Sequence, residues 1–414
     1  MEMTPGYKQS EVGTIPEDWV VRKLIDCLLD APDYGINAPA VAYSDNLPVY
    51  IRITDIGEDG RYTPEQIVSV KQTGSEKYYL RENELVFART GASVGKSYLY
   101  NPKDGDLVFA GFLIRVRPNP SLLCPHFLSA LVTTGFYWNW VRLMSMRSGQ
   151  PGINSVEYGQ LPIPLPLLPE QRDIAAALSD TDALLSSLDR LLAKKRDIKQ
   201  AVMQQLLTGK QRLPGFSGEW NLKEVKDLVQ VPVTDGPHTT PQFQDAGIPF
   251  LSVNNIVDNR INFDDLRYIS LSDHELFSKK CKPMKNDILL GKAASVGKVA
   301  LVELEAEFNI WSPIALLRIS ARYSPKFFYY LFQSSEVIKQ ITLLTNSSSQ
   351  GNLGMGDIEK IELNFPSHSE QTAIAAVLSD MDAEIDVLQK RRNKTRVIKQ
   401  GMMQELLTGR TRLV

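Results

Sequence analysis

Apolar residues at Ile374, Leu378, Met381, Ile385 and Leu388 recur at the spacing of one helix face. The same stripe runs through Ile174, Leu178, Leu185, Leu188 and Leu192. No proline or glycine interrupts 170–208, and only Gly401 intrudes in the second stretch. Glu170 and Glu370 place negative charge in the first turn, and Gly209 and Gly409 stand where a glycine ends a helix. About 38 residues at about 1.5 Å each span roughly 57 Å, too long for a helix packed inside a small domain and right for a rod between two. The segments around these rods are different. Short β-rich runs (LPVYIRITDI, NELVFAR, GFLIRVR, IPFLSVNNI, IALLRIS) alternate with Gly, Pro, Asn and Asp turns, and helical patterns cover 125–146 and 325–344. Each such segment reads as an α+β domain. The proline-rich exits LPIPLPLLP and ELNFPSHSE predict stiff extended linkers into the rods.

The pattern occurs twice because the sequence does. From Glu170 and from Glu370, 24 of 44 aligned positions are identical. Fainter matches continue through each half: Trp19 with Trp220, YIRITDI with FLSVNNI, and ASVGK at 92–96 with ASVGK at 294–298. This is a duplicated half-chain rather than a short solenoid repeat. The expected organisation is a first domain over 1–165, a central helix over 166–213, a second domain over 214–366 and a C-terminal helix over 367–414. The first helix ends where the second domain begins, and the second helix begins where that domain ends. The helices should therefore run antiparallel as a coiled coil, in a dumbbell with pseudo-twofold symmetry.

Composition narrows the classes. Hydrophobic residues make up 43% and charged residues 23%, a balance that supports ordinary globular cores. The three cysteines lie far apart with no CxxC, which argues against a disulfide framework or a structural zinc site and fits a reducing cytoplasm. The opening MEMTPGYKQSEVG has no basic stretch followed by an apolar one, so no secretory leader is expected, and no apolar run is long enough to span a membrane. The net charge of -2 rules out a histone-like basic blanket but not local basic patches.

Catalytic chemistry finds little support. TGASVGKS leaves three residues between Gly91 and Gly95 where a phosphate loop needs four, and KAASVGKV lacks both the first glycine and a hydroxyl after Lys298. A nucleotide-binding enzyme built on ASVGK remains the alternative reading. None of the four histidines has a partner at ligand spacing, and Cys124-Pro-His126 reads as packing. No GxSxG, GxGxxG or Asn-Pro-Pro-aromatic signature occurs, and Glu224-Val-Lys226, in an apparent amphipathic helix, lacks an acidic partner. No catalytic or metal site is expected. Loops that combine amide, hydroxyl, aromatic and basic residues suit DNA instead. The candidates are Tyr34, Arg52, Arg89, Lys96, Gln150 and Asn154 in the first half, and His238, Thr239, Asn254, Asn255, Lys292, Lys298, Gln350 and Asn352 in the second. Charges of both signs on the rods mostly form a solvated face. Two rods so alike nonetheless offer two equivalent docking sites for two copies of one partner.

The opening K-x-S-x-x-G-x-I-P-x-x-W at 8–19, the L-P-x-x-E-Q-x-x-I-A run at 168–177, the paired LLTG(K/R) endings and DGPHTTPQ at 235–242 together resemble the specificity subunit of type I restriction–modification systems, over essentially the whole chain. The resemblance implies a non-catalytic reader of double-stranded DNA. Each domain would recognise one half of a split, asymmetric site, and the rods would set the gap. Two methyltransferase subunits would dock on the rods and bring S-adenosylmethionine. Two motor-nuclease subunits would add ATP- and Mg-dependent translocation and cleavage. The chain itself would carry no cofactor, lie in no membrane and work in the cytoplasm. The opening of the first domain, DYGINAPAV, departs from DGPHTTPQ, so contacts do not transfer directly from one domain to the other.

Overall fold

Two 39-residue helices, Leu168–Leu206 and His368–Leu406, carry the predicted apolar stripe. Ile174, Leu178, Leu188 and Leu192 are buried on the first, and Ile374, Leu378 and Ile385 on the second. Pro169 sits in the first turn, where a missing N–H costs nothing. Gly209 and Gly409 end the helices at φ 71° and 70°, a left-handed conformation that a side chain disfavours. The computed structural model describes residues 5–71, 74–146, 150–346 and 351–413, and the side chain of Asn346 is not described. Among these residues no helix is long and apolar enough to cross a membrane.

The chain divides into two compact units, Met1–Asp189 with Arg391–Val414, and Arg190–Lys390. In the first unit a four-stranded antiparallel sheet runs in the order Asp33–Tyr34, Leu113–Val116, Leu85–Ala88, Ser97–Leu99. A second sheet contains the parallel pair Leu107–Phe109 and Val49–Ile51. The main core joins Trp19, Phe87, Phe127, Tyr137 and Tyr158 to Ile174, Leu178, Leu406 and Leu407. One end of each long helix is thus part of the domain core, and each fully buried leucine contributes about 1.5–3 kcal/mol. The second unit repeats the plan. Its sheet runs Thr234–Asp235, Ile314–Leu317, Ile288–Gly291, Val299–Leu301. Phe327, Phe328 and Phe332 pack with Met203, Leu206, Leu207, Ile374 and Leu378.

The long helices are antiparallel within each unit. In the first, Lys399 Nζ donates to Asp182 at 2.7 Å and Arg392 lies 3.6 Å from Asp189. In the second, Lys199 Nζ donates to Asp382 and Lys195 lies against Glu384, both at 2.6 Å. Each unit is also clasped at its helix ends. Arg412 grips the buried Glu170 at 2.5 and 2.8 Å and also holds Asp18, whose carboxyl it keeps below its ordinary range. Arg212 grips the buried Glu370 through two bonds of 2.5 Å.

Three sequence expectations change. The proline-rich exits are strands rather than free linkers: Pro162–Leu165 pairs with Val20–Lys23, and Glu362–Phe365 with Asn221–Glu224. Each pair forms a two-stranded ribbon, whose outer edges tolerate a proline that cannot donate, while Ile163 and Leu363 are buried. The helical patterns over 125–146 and 325–344 are each broken into two helices. Thr134 accepts a hydrogen bond from Tyr137 N and starts the second helix of the first pair. Glu224-Val-Lys226 ends a strand and opens a single 3-10 turn, so it lies in no amphipathic helix.

Candidate nucleic-acid interface

The first unit's site forms where the Leu85–Ala88 strand ends. Arg89 N donates to Phe112 O at 3.0 Å, and Ile153 N donates to Arg89 O at 2.9 Å. The Arg89 backbone is thereby fixed between two neighbouring segments. Tyr34 reaches the same place because Asp33–Tyr34 pairs with the strand Leu113–Val116, after which the chain crosses closely against Phe109 and Ala110 at Gly35. A Cβ on Gly35 would meet Phe109 O at 2.2 Å, so only glycine permits the crossing. Tyr34 Oη accepts from Ser155 N at 3.0 Å. Burial alone would raise the Tyr34 pKa, but this hydrogen bond and the adjacent Arg89 outweigh it and lower the phenol below its ordinary value. The Arg89 guanidinium lies 5.0 Å over the Tyr34 ring and 5.9 Å from that of Phe112, which is 54% exposed. Among the described residues no carboxylate pairs with Arg89.

The turn that follows is a hairpin. Gly95 N donates to Ala88 O, Ala88 N donates to Lys96 O, and the chain returns on the Ser97–Leu99 strand. A phosphate loop requires a helix after the turn, and the second ASVGK also leads into a strand, Val299–Leu301. Lys96 lies 2.7 Å from Glu58 and donates to Ile56 O at 3.4 Å. The nucleotide-binding alternative therefore lacks both its helix and a free lysine in the first copy.

The second unit builds the same frame with other side chains. Lys292 N donates to Pro313 O and Leu353 N donates to Lys292 O, both at 2.8 Å, so Lys292 stands where Arg89 stands. Asp235 takes the place of Tyr34: it pairs with Ala315 as Tyr34 pairs with Ile114. Gly236 makes the same crossing, and its Cβ would meet Ile310 O at 1.7 Å. Asp235 is fully buried, yet Lys280 Nζ donates to it at 2.6 Å, Lys292 lies 3.1 Å away and His238 lies 3.2 Å away. Burial pushes its carboxyl up, but the two ammonium groups more than compensate and its pKa falls below the usual value. Among the described residues, the cation at the central position thus has no carboxylate partner in one unit and is paired with one in the other.

The remaining candidates divide by what holds them. Arg52 is bound bidentately to Asp55 and also donates to Gln66 O. Asn154 caps the Ser155–Gly159 helix. Asn255 is buried, accepting from Ser252 N and donating to Asn262 O and Asp265 O. These three side chains hold loops in shape. Gln150 is exposed beside Gly91 in the Arg89 cluster. His238, Thr239, Asn254 and Asn352 are exposed in the second unit, and Lys298 is half-buried with no ion pair among the described residues. Gln350 lies outside the described residues. Phe112, Asp235 and Lys280 were missed. Phe112 had a signal, an aromatic between glycine and a strand, whereas Lys280 is brought to Asp235 only by the Leu271–Ser278 helix that precedes it. Among the described residues no three His, Cys, Asp or Glu side chains gather as a metal site.

Comparison with known proteins agrees with this architecture. The model of the type I restriction modification DNA specificity domain matches residues 16–195 and again 217–395. A putative type I restriction enzyme MjaX specificity subunit from Methanocaldococcus jannaschii is 26% identical over 98% of this chain and 97% of its own length. The EcoKI specificity subunit of Escherichia coli is 23% identical over 95% and 89%. In fold, the chain is similar to the crystal structure of a type I restriction–modification S subunit from M. genitalium, with a TM-score of 0.62 at 16% identity over 98% and 99% of the two chains.

Proposed function

The chain belongs to the type I restriction–modification DNA specificity family, as a recognition component rather than a catalytic one, and from that premise we propose that each unit reads one half of a split, asymmetric site in double-stranded DNA. The observation that carries this reading is the frame built twice. A cation follows the central strand at the same backbone position, Arg89 or Lys292, while the side chain beneath it changes from Tyr34 to Asp235. A shared scaffold with different contact residues is what two half-sites of different sequence require.

The reading extends to the complex. The long helices offer two matching surfaces for two methyltransferase subunits carrying S-adenosylmethionine, and two motor-nuclease subunits using ATP and Mg join that assembly in the cytoplasm. The chain holds none of these cofactors itself. Phosphate contacts from lysines and arginines make binding fall with salt. The test is to express the chain with its methyltransferase partner and map methylated adenines across the genome. Two fixed half-sites at one constant spacing are expected. A single uninterrupted motif, or methylation that does not depend on this chain, would overturn the proposal.

A further inference from the structure

We propose that Arg89 reads a guanine in the half-site bound by the first unit, and that Lys292, its counterpart, reads no base. The inference rests on the DNA-reading function proposed above. Arg89 is fixed at its backbone by bonds to Phe112 O and from Ile153 N. Its guanidinium is held over Tyr34 at 5.0 Å, and Tyr34 is itself held by Ser155 N at 3.0 Å. No carboxylate among the described residues competes for its donors. A planar fork of donors, held against Tyr34 and with no carboxylate among the described residues to occupy it, matches the O6 and N7 edge of guanine. Contact with a phosphate alone would need only charge, and an unstacked lysine supplies that. The exposed Phe112 beside the guanidinium adds an apolar surface that suits base edges better than a phosphate.

Lys292 occupies the same frame in the opposite state. Only 14% of its side chain is exposed, and its ammonium lies 3.1 Å from the buried Asp235. Using it on a base would strip Asp235 of one of its two lysines. Base reading in the second unit then falls to exposed side chains of other loops, such as Thr239 and Asn254.

The test uses the full chain in its methyltransferase complex and compares wild type, Arg89→Ala and Arg89→Lys. In competition binding, each base pair of the mapped site is replaced in turn. Wild type should lose about 5- to 150-fold at one G·C pair of one half-site, the discrimination of a good bidentate contact. Both variants should lose preference at that pair alone, with the other half-site and the spacing unchanged. Lysine keeps the charge, so Arg89→Lys should retain binding to non-specific DNA. Equal weakening at every position, full restoration by lysine, or loss centred on an A·T pair would each overturn the assignment. Failure of the underlying reading is distinguishable: wild type itself would then show no bipartite motif.

Discussion

The two units build the same strand frame and differ in the side chain beneath its central cation, the partly exposed Tyr34 in one and the buried Asp235 in the other. In the first, Tyr34 holds Arg89 against its ring, and no carboxylate among the described residues pairs with the guanidinium. In the second, Asp235 draws Lys280, Lys292 and His238 around itself. The lesson is that a duplicated fold can change its surface chemistry while keeping its strand register. The side chain beneath the cation decides whether that cation rests on an aromatic ring or pairs with a carboxylate. The glycine after each position is what holds this constant. Replacing it should have the largest effect of any single change. Gly236→Ala, with Ile310 O at 1.7 Å from the new Cβ, should destabilise the second unit by about 3 kcal/mol or more, as overpacking does at its upper range. Gly35→Ala meets Phe109 O at 2.2 Å and should act similarly on the first unit alone. Hydrogen exchange resolved by unit checks both. Equal loss of protection in both units from either change would break the comparison.

The helix-end clasps sharpen it. Arg212→Ala leaves Glu370 buried without its cation and should clearly destabilise the second unit. Arg412→Ala should cost less, although it severs two carboxylates. Trp19 Nε1 still donates to Glu170 at 3.3 Å, whereas the buried Trp220 Nε1 has no partner among the described residues. Asp18, 53% exposed on its side chain, can be rehydrated. Denaturant midpoints followed separately for the two units give the order, and a larger loss from Arg412→Ala would refute the role given to Trp19.

Asp235 carries its own pH signature. Its folded carboxyl titrates below its ordinary value of 3.8, so the charged form is favoured by folding. The resulting stability is present above the unfolded carboxyl range, near pH 4, and is lost as pH falls through the folded value. Asp235→Asn should abolish that acid-sensitive component in the second unit only, while leaving Lys280 and Lys292 without their anion. A pH titration of unfolding between about 5 and 2 compares the two chains. An unchanged slope in the variant would show that Asp235 is not the group responsible.

Much of this arrangement was legible in the sequence, and the illegible parts have physical reasons. The long helices follow from a 3.6-residue stripe and glycine stops, and the duplication from identities in the rods. The ASVGK turns and the basic residues flanking them were visible too. Proline-rich runs concealed the ribbons at 162–165 and 362–365, because a proline reads as a linker unless its strand has an outer edge. Arg52, Asn154 and Asn255 have the residue types of DNA contacts, but their capping bonds are set by turns three residues long. The pairing of Lys280 with Asp235 joins segments 45 residues apart, and no periodicity encodes it.

The smallest expected effect separates the two turn lysines. Lys96 is engaged with Glu58 at 2.7 Å, and Glu58 is 85% exposed on its side chain. Such a surface pair is worth roughly 0–1 kcal/mol, so Lys96→Ala should leave stability nearly unchanged. It should also release few counterions on binding DNA, because its charge is already partly balanced. Lys298 has no ion pair among the described residues, so its full charge is available to a phosphate. Lys298→Ala should weaken binding uniformly across sequences and lower the slope of log affinity against log salt by about 1. Lys96→Ala should lower it by clearly less. Titrations of the full complex at about 50–200 mM salt measure both slopes on the same DNA. If the two variants shifted the slope equally, the Glu58 pair would be open on DNA, and the contrast between a committed and a free lysine would not extend to this turn.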